Sequence, residues 1–92
     1  MMDTDQRITE MRRRLEQALN PEQLSIEDEG HMHVGHEGAR DGRGHFRVMV
    51  ISDAFEGLSM LQKHRAIYDA LGDLMKTDIH ALAIDAYSSS EL

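Results

Sequence analysis

Three histidines, His31, His33 and His36, fall within six positions in the stretch "EGHMHVGHEG", residues 29–38. Neutral imidazoles suit borderline-soft ions such as zinc, copper or iron, which they bind through a ring nitrogen. His31 and His33 can act together only where the chain is extended, because alternate side chains then share one side. The chain has no Cys, which excludes disulfides and any all-protein thiolate site. A complete zinc site would have to recruit Glu29, Glu37 or water. A shared site, in which a partner supplies thiolates, is easier to build. The competing reading is a solvated glycine-rich loop, and spacing alone leaves both open.

The elements around these residues decide what they can meet. Ile8, Met11, Leu15, Ala18 and Leu19 recur at three- and four-residue spacing, which predicts a helix over residues 4–19. Asp3 or Thr4 can cap its start, and Asn20-Pro21 stops it. Arg12, Arg13 and Arg14 are consecutive, so they wrap around its polar side as a solvated surface. "EQLSIED" alternates Leu24 and Ile26 with polar neighbours and reads as a first strand. Residues 29–44 hold five of the seven glycines and read as a long flexible loop.

"HFRVMVIS", 45–52, is a second strand with apolar residues on both faces, hence central. Residues 53–59 form a turn in which Phe55 packs and Gly57 bends the chain. A second helix follows over 59–75, its stripe expected to be Met60, Leu61, His64, Ile67, Tyr68, Leu71, Leu74 and Met75. "IHALAIDAY" is a third strand with His80, Leu82, Ile84 and Ala86 on one face. The last residues, 88–92, are expected to fray.

The order helix-strand-strand-helix-strand implies an antiparallel first pair and a parallel, right-handed crossover to the third strand. Both helices then cover one face of a three-stranded mixed sheet in an α+β fold, a single domain over residues 1–92. Parallel strands start at the same end, so His80 is expected beside the 29–44 loop and His45. His64 belongs at the other end. His80 alone reads more readily as a capped or hydrogen-bonded strand-end residue than as a ligand.

Composition limits the alternatives. A chain of 92 residues buries one modest core. Its net charge of −7 opposes phosphate backbones, and full protonation of the six histidines would leave about −1. The N-terminal sequence has no signal-peptide core and no run spans a bilayer, so a cytoplasmic, membrane-free protein is expected. A hydrolase using His with Asp53 or Asp78 lacks a nucleophile: there is no Cys, and no Ser stands in an elbow motif.

"FEGLSMLQKHRAIYDAL" followed by "IHALAI" resembles the BolA family, whose hallmark is Phe-x-Gly, then Arg-His, then a late His-Ala-Leu. "HFRVMVISDAF" and the loop opening "DEGHMH" match as well, so the resemblance covers about residues 4–87. One departure is Lys63, which stands where the family has Arg and lacks the planar two-pronged fork. The resemblance implies a class II KH-like fold and a non-enzymatic role. It implies pairing with a monothiol glutaredoxin and a shared [2Fe–2S] cluster completed by glutathione, none of it held stably by this chain alone. Carried over, the ligands are His80 and His33, with His31 and His36 as backups. Alone, the protein is expected to be a monomer or weak homodimer. Some members bind DNA, which makes Lys63, His64 and Arg65 the alternative nucleic-acid contacts. Against this, "FEGLSM" offers Gly57 alone where a KH loop has Gly-x-x-Gly.

Overall fold

The computed structural model describes residues 2–30 and 43–92. Helix α1 runs Thr4–Leu19 because both of its ends are specified locally. The Asp3 carboxylate accepts from the Gln6 N–H at 2.8 Å, while the Gln6 side chain accepts from the Asp3 N–H at 2.9 Å. Together these form a reciprocal capping box. At the other end Asn20 turns left-handed (φ 44°) and its N–H closes on the Glu16 carbonyl, before Pro21 forbids another turn. The buried line is Arg7, Met11, Leu15 and Leu19, four residues apart throughout. Ile8 packs at its margin, but Ala18 is exposed, contrary to the sequence expectation.

Strands β1 (Gln23–Asp28), β2 (Gly44–Ile51) and β3 (Ile79–Tyr87) form one sheet in the order β1-β2-β3. β1 and β2 are antiparallel, and β2 and β3 are parallel, as the crossover requires. Phe46, Val48 and Val50 enter the core against Met11, Leu15, Ile67 and Leu71, so both long helices cover one face. Each such fully buried side chain contributes about 2 kcal/mol of transfer free energy.

Between the sheet and α2 (Met60–Leu71), a short 3-10 turn at Asp53–Phe55 buries Phe55 completely. Gly57 then takes φ +77° with no side chain nearby, so its role is backbone freedom rather than space. This is the physical content of the Phe-x-Gly pattern. Ser59 and Gln62 make a second capping box at the start of α2.

Helix α2 differs from the sequence expectation in length and face. Gly72 at φ 56° ends it, and a single further turn, α3 (Leu74–Thr77), follows. Its buried line is Lys63, Ile67 and Leu71, whereas Met60, Leu61 and Tyr68 are exposed. The expected solvation of the α1 arginines is also incomplete. Arg14 reaches the Leu71 carbonyl at 2.7 Å and Asp73 at 2.8 Å, tying α1 to the end of α2. Arg13 and Arg14 both hold Glu10, whose carboxyl falls to about 2. No helix among the described residues is long and apolar enough to cross a membrane.

The chain end, expected to fray, instead forms a 3-10 turn at Ser89–Glu91. Glu91 closes back on the Ser88 N–H at 2.7 Å, and Ser90 donates to Glu56. Ser89 donates to Asp53 and to Glu22.

Candidate metal-binding edge

The parallel β2–β3 pairing brings the starts of both strands to one edge, and the chain chemistry collects there. Gly44 pairs with Ile79, but His45 pairs with Ala81, so one step on β2 matches two on β3. His80 is the extra residue of this bulge. The bulge changes the phase of β3: Ile79 is buried and Leu82, Ile84 and Ala86 follow on the core side, while His80 is exposed. The expectation that His80 shares a face with Leu82 is therefore corrected. A readable signal existed in the sequence, since bulky apolar residues stand at 79 and 82 rather than at alternate positions.

Two backbone contacts fix the edge. The Gly44 N–H donates to the Asp78 carbonyl at 2.8 Å, and the Glu29 N–H donates to the His45 carbonyl at 2.7 Å. A Cβ on Gly44 would lie 2.5 Å from the Phe46 ring, so any side chain there would force the buried ring to shift. On the inner side, Arg7 of α1 meets Asp78 at 3.1 Å, with both side chains more than nine-tenths buried. The Thr77 hydroxyl, at 2.6 Å, and then the Arg7 guanidinium hold the Asp78 carboxyl below its ordinary range, against its burial. Asp78 therefore anchors β3 beside α1, and is committed to structure rather than to hydrolysis. Across the open face Arg47 joins Glu29 at 3.2 Å to Asp85 at 3.0 Å.

His45 and His80 meet directly, with ring centroids 5.0 Å apart and planes tilted by 50°. His45 is buried and His80 is exposed. Arg43 adds a contact that sequence reasoning missed: its Nη2 lies 3.1 Å from His80 Nδ1. Nothing in the pattern around Arg43 signals this, since it depends on how the segment re-enters the sheet. His31, His33 and His36 lie outside the described residues. Their segment leaves from Gly30 and returns at Arg43, and both flanks are tied to this edge by the Glu29 and Arg43 contacts. Among the described residues no group of three or more His, Cys, Asp or Glu side chains could hold a metal ion. What the described edge offers is an incomplete set: one exposed imidazole, braced by a second.

The alternative nucleic-acid residues fare differently. Lys63 is only 3% exposed, and its ammonium holds both Glu91 oxygens at 2.5 and 2.7 Å. Lys63 thus holds both oxygens of one carboxylate although it lacks the guanidinium fork. His64 is half-buried with Nε2 lacking a hydrogen-bond partner among the described residues, and Arg65 alone is exposed. The three do not form one basic surface. His64 does stand apart from His80, since α2 begins where β2 ends.

Comparison with known proteins agrees with this architecture. Residues 15–91 match the family model described as BolA-like protein. SufE-like protein 1, chloroplastic/mitochondrial, of Arabidopsis thaliana is 41% identical over 87 residues, which cover 89% of this chain and 24% of that protein. BolA-like protein 1 of Bos taurus is 44% identical over 81 residues, 88% of this chain and 58% of that protein. The chain thus spans from a quarter to just over half the length of these relatives. The solved BolA domain of SufE1 from Arabidopsis thaliana superposes with a TM-score of 0.83 at 38% identity, each chain fully covered. BolA1 from the same plant gives 0.80 at 33% identity, covering 100% of this chain and 99% of that one.

Proposed function

The chain belongs to the BolA-like family, and from that premise we propose that it shares a [2Fe–2S] cluster with a monothiol glutaredoxin during cluster assembly or delivery. The observation that carries this reading is the exposed His80 ring at the edge where the histidine-bearing segment 31–42 departs and returns. His80 supplies one ligand and His33 the second, with His31 and His36 as substitutes. The glutaredoxin and its glutathione contribute two thiolates. Imidazole in place of thiolate removes negative charge from one iron and raises the potential, as it does in Rieske centres. A relative in which a BolA domain is joined to a SufE-like protein is in keeping with this role.

The chain's own residues perform a docking task. The Arg7–Asp78 pair and the Gly44 contact hold the start of β3, so His80 approaches a partner from a fixed base. Ligation requires neutral imidazole, so protons compete with iron for the same lone pair. A half-site of this kind suits transfer more than storage.

The test is a titration of the protein into cluster-loaded monothiol glutaredoxin, followed by visible circular dichroism. Wild type changes the spectrum, His80→Ala abolishes the change and His33→Ala weakens it. An unchanged spectrum with wild type contradicts the reading.

A further inference from the structure

The Arg43–His80 contact has a chemical direction. Guanidinium stays protonated and can only donate, so at 3.1 Å the His80 Nδ1 must be the acceptor. A neutral ring that accepts at Nδ1 carries its hydrogen on Nε2. Neither nitrogen then offers an open lone pair: Nδ1 faces Arg43, and Nε2 holds the proton. Ligation through Nδ1 requires Arg43 to leave, and ligation through Nε2 requires the proton to move to the nitrogen at which Arg43 donates.

We propose that Arg43 is a positioning residue that guards His80 against bare divalent cations and yields it to an anionic ligand. This rests on the cluster-sharing reading for its physiological ligand, but the guarding itself is a property of the chain alone. A positive group beside Nδ1 repels a dication that approaches either ring nitrogen. The same charge attracts a sulfide- and thiolate-rich cluster, which offers Arg43 a new anionic partner as it releases the ring. The packed His45 ring, 5.0 Å away, limits how far His80 can turn to escape this control. Arg43 thus selects by sign of charge, which imidazole cannot do by itself.

The experiment uses the full chain labelled with 15N at histidine, at a pH of about 8 where an ordinary imidazole is neutral. Ring 15N spectra read the tautomer of His80 before and during titration with zinc chloride. In wild type the hydrogen is on Nε2, and in Arg43→Ala a population with the hydrogen on Nδ1 becomes visible. Arg43→Ala binds zinc at His80 about tenfold more tightly than wild type, while Arg43→Lys, which keeps the charge, stays near wild type. Hydrogen on Nδ1 in wild type, or equal zinc affinity in wild type and Arg43→Ala, overturns the proposal. With cluster-loaded glutaredoxin the order reverses, and Arg43→Ala gives the weaker spectral change. If zinc follows the expected order while no variant and no wild type alters the glutaredoxin spectrum, the guarding stands and the cluster reading fails.

Discussion

The two ends of the β2–β3 pair are built in opposite ways. At the far end, where both strands finish, polar groups are closed over. The Ser52 N–H reaches the Tyr87 carbonyl at 3.0 Å, its hydroxyl donates to the Leu19 carbonyl, and Lys63 is locked onto Glu91. At the near end, the inner side is equally committed through Arg7–Asp78, but the outer side presents His80 on a bulge. A closed end spends its polar groups on itself. Among the described residues the near end keeps one exposed imidazole over a rigid base, as the proposed ligand role requires.

The largest expected effect falls at the base of the near end. Arg7→Met leaves the Asp78 carboxylate buried without its cation, and should cost about 3 kcal/mol in urea unfolding. Gly44→Ala is next, because its Cβ must displace the Phe46 ring from 2.5 Å. A loss of about 2 kcal/mol is expected, with a weakened nuclear Overhauser contact between the His45 and His80 rings. If Gly44→Ala leaves both stability and that contact intact, the near end is not fixed by the bulge.

At the far end, Ser52→Ala removes a buried donor to the Leu19 carbonyl and should cost about 1 kcal/mol. The smallest effect is the pH response of the tail. The Lys63 ammonium, helped by the Ser88 N–H, lowers the Glu91 carboxyl from 4.5 to about 2. Between those values the unfolded chain binds the extra proton, so stability falls as pH falls through this window. The protection of the Ser88 and Glu91 amides, taken relative to their intrinsic exchange rates at each pH, should fall from pH 4.5 towards 2, and Glu91→Gln should already show the lowered protection at neutral pH. A tail with no exchange response in either case would mean that Lys63–Glu91 does not hold it.

Much of this frame was legible from residue pattern. The bounds of α1 and β3, the mixed sheet order and the meeting of His45 with His80 follow from periodicity, caps and the handed crossover. The misreadings have specific causes. Arg7 and Lys63 occupy buried helix lines, and charge disguises such positions until their partners, Asp78 and Glu91, come from distant sequence. Gly72 shortens α2 because a positive φ outweighs the apolar residues beyond it. The β3 bulge moved His80 to the other phase, and Arg43 became visible only once both strand starts were side by side.

The central claim is that His80 becomes an iron ligand in a shared cluster. Hyperfine spectroscopy on the reduced cluster, in a glutaredoxin complex made with 15N-histidine-labelled protein, tests it most directly. The expected result is a strong nitrogen-15 coupling from this chain that disappears in His80→Ala. Absence of that coupling in wild type, or its survival unchanged in His80→Ala, would contradict the account.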